Sequence, residues 1–183
     1  MKSIHPLHQL LQHQLRSLFD AETQFNVLLP RMIEKTTDDS LRHGLVEIRG
    51  DTMENIDHIQ TICHLLDTSP TGVVCKTMQD LIREASAATQ AAKEGVVTDQ
   101  QLMANARQIV HYEIASFDLA CTFANSAGQE DACVLLAMLA NRADYHNRLL
   151  EKLGSGTATA ASSDSVKPRR PKGANTRKRV PAR

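Results

Sequence analysis

The stretch "LLQHQLRSLFDAETQFNVLLPRM", residues 10–32, decides the fold. Steps of four and three residues from Leu11 pick out Leu11, Leu15, Leu18, Glu22, Phe25, Leu29 and Met32, which share one face of an α-helix. All but the central one suit a buried face, and the exception is a carboxylate. A buried, unpaired charge costs on the order of several kcal/mol even after relaxation. Glu22 therefore calls for partners carried by other helices.

The same anomaly recurs along the chain. In "ARQIVHYEIASFDLACTFA", residues 106–124, the apolar stripe Ala106, Val110, Phe117, Ala120, Ala124 is interrupted by Glu113, while His111 and Asp118 point away. A second helical pattern presents Leu41, Leu45, Ile48, Thr52, Ile59, Ile62 and Leu66, with Asn55 inside that face, Asp51 at its edge, and Glu54 and His58 further round. A last pattern gives Leu135, Met138/Leu139, Arg142, His146, Leu149 and Leu153, so that Arg142 and His146 take inner positions. One polar residue on an apolar face usually means snorkelling or a hydrogen-bond partner. Ionisable residues near mid-length in every long helix point to one shared centre.

Boundary signals complete an all-α reading: a four-helix bundle with a short extra helix in the crossover between long helices 2 and 3. The first helix is expected over His5–Thr36, with Pro30 kinking or loosening its last turns because it offers no N–H. "TTDDS" caps a second over Asp39–Leu66, and Pro70 and Gly72 break the chain after it. A short helix follows over Lys76–Lys93, then a third long one over Asp99–Ser126 with Thr98 as cap. Gly128 precedes the fourth, Glu130–Leu153. Tryptophan is absent and aromatic residues make up 3% of the chain, so Leu, Ala, Ile and Met must build the core, which favours helix over sheet.

Net charge is zero, yet unevenly spread. Residues 154–183 hold eight Lys/Arg and one acid, net +7, whereas residues 1–153 hold thirteen Lys/Arg and twenty acids, net −7. The domain is expected to cover 1–153, and 154–183 to be a disordered basic tail. Sequence-tolerant contact with nucleic-acid phosphates would use Lys167, Arg169, Arg170, Lys172, Arg177, Lys178 and Arg179; no aromatic residue is present there to stack on bases. A solubilising role, or one folding back on the acidic bundle, is the favoured alternative. Cys63, Cys75, Cys121 and Cys133 show no metal-ribbon spacing, in keeping with reduced thiols and a cytoplasmic location. The first residues do not read as a signal peptide, and no apolar run is long enough to span a membrane.

Three phrases carry a resemblance to the YciE/YciF-like proteins of the ferritin-like superfamily: "LFDAETQFNVLLPRM", "PTGVVCKTMQDLIREA" and "VHYEIASF". The resemblance covers about residues 5–153. It implies a helical bundle, often a homodimer, with a carboxylate-rich metal centre and a role tied to stress. Carried over by position, the family's ligands match Glu22, Asp51 in place of a glutamate, and Glu113. Elsewhere the chain departs: Val110 stands where the family has a further glutamate, Asn55 where it has His or Gln, Arg142 at an acidic position, and His146 at a later Asp.

These residues support two expectations. Glu22, Asp51, Glu113 and His146 would hold one divalent ion such as iron, manganese or zinc, though not a coupled pair of ions. Alternatively no metal is needed, and Arg142 supplies the positive charge by pairing with Glu22, Asp51 and Glu113, which suits a structural or interaction protein. Catalysis is not expected: the ligands of a redox di-iron centre are missing, and no phosphate-binding loop or hydrolase motif is present. His5, His8 and His13 read as a solvated helix end.

Overall fold

Capping and turn chemistry set the helix ends in the computed structural model, which describes residues 6–91 and 95–163. In chain order the helices are α1 (Pro6–Lys35), α2 (Asp39–Leu65), α3 (Lys76–Ala91), α4 (Val96–Ser126) and α5 (Glu130–Ser163), with no strand among the described residues. Asp38 has extended backbone and its side chain accepts from the Leu41 N–H at 2.7 Å, the usual N-cap of a helix. Asp99 of α4, itself buried, reinforces this corner: it accepts from the Thr37 N–H at 2.8 Å, the Thr37 hydroxyl, and the Asp38 N–H at 3.1 Å. At the other end of the bundle, α4 closes on Gly128 in the left-handed region (φ 68°). The Gly128 and Gln129 N–H groups bond back to the Asn125 and Ala124 carbonyls, so a tight turn leads into α5.

Around the bundle the order is α1, α2, α5, α4: α1 packs on α2 and α4, and α5 on the same two. Contacts near the ends show that these neighbours run antiparallel. Thr37 meets Asp99 and His8 meets Gln129, while Gly44 lies against Leu149 and Leu153. The chain from 66 to 95 therefore returns along the whole bundle, and α3 lies in it, outside the α1–α4 pair. This is the four-helix bundle with a crossover helix read from the sequence.

The buried apolar residues form two clusters. One gathers Phe25, Leu29 and Met32 of α1 with Leu41, Leu45 and Ile48 of α2, Leu102, Ile109 and Val110 of α4, Leu150 of α5, and Met78 of α3. The other gathers Leu11, Leu15 and Leu18 with Ile59, Ile62, Phe117, Ala120, Leu136 and Leu139. Between them on each long helix comes a polar break: Glu22, Thr52 with Asn55, Glu113, and His146.

Several expected boundaries move. Helix α1 runs unbroken through Pro30 to Lys35; Pro30 is exposed, so the ring meets solvent rather than the core. Helix α4 starts at Val96, three residues before Asp99, because Gly95 in the left-handed region (φ 128°) begins the turn and its carbonyl takes the Thr98 and Asp99 N–H groups; Thr98 is a buried first-turn residue, not the cap. Helix α5 continues beyond Leu153 to Ser163, through part of the stretch expected to be tail. Gly154 explains the start of that extension, since a Cβ there would stand 3.0 Å from the Met103 sulfur and its absence lets α5 lie close on α4. Ala and Ser residues after it favour or tolerate helix.

Asp99→Ala should lower unfolding free energy by about 2–3 kcal/mol, because three donors lose an ionised acceptor at once. A urea titration of both proteins checks this.

Candidate functional site

The polar layer is built from opposite ends of a charge gradient. On the α1–α4 side, Glu22 and Glu113 are fully buried and hydrogen-bonded to one another. Two carboxyls in contact in a dry interior cannot both ionise. Burial, then the charge of Glu22, holds Glu113 well above the usual carboxylate range, which makes Glu113 the protonated donor and Glu22 the acceptor. Burial also pushes Glu22 up to about 7 from 4.5, against the pull of the Asn55 and Glu113 hydrogen bonds and of the Arg142 charge. Glu22 Oε1 and Glu113 Oε1 are buried and have no hydrogen-bond partner outside the carboxyl pair.

On the α2–α5 side Arg142 and Asp51 lie nearer to water. Arg142 donates to the Asp51 carbonyl at 3.2 Å, to Asn55 Oδ1 at 2.9 Å and to Glu54 Oε2 at 2.8 Å, and its Nε lies 3.8 Å from Asp51 Oδ1. His146, 1% exposed, contacts Asp51 Oδ2 through Nε2 at 2.8 Å. Burial keeps its pKa below the ordinary histidine value despite Asp51, so the ring is neutral near pH 7 and donates Nε2–H. Asn55 joins the two sides. Its Nδ2 donates to Glu22 Oε2 at 3.2 Å while its Oδ1 accepts from Arg142.

The core residues singled out from the sequence fall into two groups. Glu22 and Glu113 meet, Asp51 and His146 meet, and these are two separate pairs with Asn55 and Arg142 between them. Among the described residues, no three His, Cys, Asp or Glu side chains come together as a metal-holding group. The expected partners of Arg142 are corrected in part: Asp51 is one, but Glu22 is reached only through Asn55, and no contact with Glu113 is made. The cause is a shift of one position on the last helix. Its innermost residues are Leu136, Leu139, Ala143, His146 and Leu150, which leaves Arg142 at the rim with 19% of its side chain exposed. Glu54 had been set outside the bundle face, and it is 60% exposed, yet it is the nearest acid to Arg142. The tail residues Lys167, Arg169, Arg170, Lys172, Arg177, Lys178 and Arg179, and His5, lie outside the described residues.

Residues 6–162 match the family described as "Domain of unknown function (DUF892)". The chain belongs to the DUF892 family. The likenesses to YciF that follow agree with the YciE/YciF resemblance of the three sequence phrases. It is 29% identical over 127 residues to Protein YciF of Escherichia coli K12, covering 68% of this chain and 75% of that protein. A solved structure of YcfI from Rhodopseudomonas palustris, put forward as a structural protein, is 32% identical with a TM-score of 0.76, over 82% of this chain and 96% of that one. The crystal structure of the E. coli stress protein YciF shares the fold with a TM-score of 0.81 at 24% identity, over 87% and 99% of the two chains. Val110, where the YciE/YciF resemblance implies a further glutamate, is wholly buried in an apolar cluster. No helix among the described residues is long and apolar enough to cross a membrane.

The buried carboxyl pair links stability to pH. Folded Glu22 and Glu113 bind protons that the unfolded chain releases above about pH 4.5, so their stabilisation is full below that value and is lost as pH rises, through about 7 for Glu22 and higher for Glu113. His146 acts in the opposite sense, because its folded pKa is depressed and it loses stability as pH falls below 6.5. Among the described groups with a shifted pKa, the carboxyl pair sets the slope between pH 6.5 and 8. Urea midpoints should fall across that window by the equivalent of roughly 1–3 kcal/mol, and Glu113→Gln, which donates without ionising, should flatten the decline.

Proposed function

We propose that this chain is a non-enzymatic, structural member of the DUF892 family, tied to stress, whose polar layer is neutralised from within by Arg142 and a shared proton. One observation carries the reading: the guanidinium lies among Asp51, Asn55 and Glu54, and Asn55 passes its other side to Glu22. A guanidinium cannot ligate a metal and repels one beside it. The relatives support the same class, since YcfI has been put forward as a structural protein and YciF is called a stress protein.

A second reading rests on the two buried oxygens without other partners, Glu22 Oε1 and Glu113 Oε1. One divalent ion such as iron, manganese or zinc, held between them in place of the proton, would satisfy both. Metal analysis of the untagged full chain after dialysis separates the readings. A trace content supports the internally neutralised layer. A stoichiometric ion that disappears in Glu113→Gln overturns it in favour of the ion.

Arg142→Met should cost about 1–3 kcal/mol, less than a deeply buried pair because Arg142 and Asp51 are partly solvated. An unchanged urea midpoint would remove the arginine from its assigned part. For the basic tail we propose a solubilising role or one folding back on the acidic bundle, with weak, salt-sensitive contact to nucleic-acid phosphates as the alternative. Truncation after Ser163, which leaves α5 whole, should abolish retention on DNA at low salt.

A further inference from the structure

Two thiols stand apart from the polar layer. Cys121 of α4 and Cys133 of α5 face each other with their sulfurs 3.1 Å apart. Each also lies near the other's backbone carbonyl, Cys121 Sγ at 3.7 Å from the Cys133 oxygen and Cys133 Sγ at 3.8 Å from the Cys121 oxygen. Both are half-buried. The other two cysteines differ. Cys63 is wholly buried, and Cys75 is buried with its sulfur 2.9 Å from the Tyr112 hydroxyl. The tight turn at Gly128 fixes the helix ends that carry the pair, so the approach is built into the hairpin.

We propose that Cys121 and Cys133 form a site of reversible oxidation, at which a hydroperoxide converts the two thiols into an intramolecular disulfide joining α4 to α5. In the first step one sulfur attacks the peroxide oxygen; the O–O bond breaks, a sulfenic acid forms, and water or an alcohol leaves. The second sulfur then attacks the sulfenic sulfur, the S–S bond forms, and water leaves. Two thiols are oxidised and one peroxide is reduced, with no further reactant. The sulfurs need to approach by only about 1 Å to reach the bonded distance of about 2.05 Å. Burial and then the neighbouring Cys133 thiol push Cys121 up to about 11, so little thiolate forms there at neutral pH and its attack as the first nucleophile is slow. Proximity, not acidity, selects this pair.

The test treats the folded full-length protein with excess hydrogen peroxide for hours, removes the peroxide, then alkylates all remaining thiols after unfolding. Expected are loss of two of the four reactive thiols, a mass decrease of about 2 Da before alkylation, and a peptide cross-linked between Cys121 and Cys133. Dithiothreitol should restore all four. Cys133→Ser should yield no intramolecular cross-link while retaining the wild-type helical circular dichroism. Four alkylatable thiols after treatment would overturn the proposal, as would sulfinic acid at either residue or a disulfide between chains in place of the internal one.

Discussion

Contact between Glu22 and Glu113 is the constraint around which the bundle is arranged. Neither carboxylate has water to ionise into, so the core accommodates them by sharing a proton and by drawing a polar group from each remaining long helix to the same level. The two apolar clusters lie on either side of that level. Sliding any helix by one turn would set a carboxyl or an imidazole among leucines and leave its former partners unmatched. The layer thus fixes register among four helices whose apolar faces, rich in Leu, Ile and Ala, would otherwise tolerate several alignments.

Across the layer the electrostatic problem changes character within a few residues. At α1 and α4 it is solved by protonation, because desolvation dominates. At α2 and α5 it is solved by a guanidinium, because partial exposure keeps charges affordable and Glu54 can follow Arg142 outward. Asn55 suits the boundary between these regimes, since one amide donates toward the carboxylate and accepts from the cation. A histidine or glutamine at that position, as the YciE/YciF resemblance implies for relatives, would present a different reach and a different donor pattern.

Helix number, order, the crossover and the burial of Glu22, Glu113 and His146 were legible in the sequence because spacing by three and four residues reports a face directly. The membership of the site was less so. Periodicity places a residue around a helix axis to within a position or so, and that margin separates an internal cation from a rim cation in the case of Arg142. Asp51 and His146 were correctly put on inward or edge positions, but their pairing depends on the relative depth of two helices, which no single helix encodes. Asp99 was read only as the start of its helix. Its role in holding the α1–α2 corner arises from a contact across sixty-two positions, invisible to any local pattern. The Cys121–Cys133 approach likewise follows from how tightly the Gly128 turn folds back.

That long-range corner has a consequence for the order in which the chain assembles. The backbone N–H groups of Thr37 and Asp38 receive their acceptor only when α4 arrives, after the crossover has been traversed. Helices α1 and α2 are adjacent in sequence and could associate early, but their hairpin remains an open joint until a distant segment docks. The entropy of closing that large loop is then spent at the same moment as the corner becomes rigid. Cooperativity between the two halves of the bundle is therefore written into a single aspartate at the top, far from the layer that holds the middle.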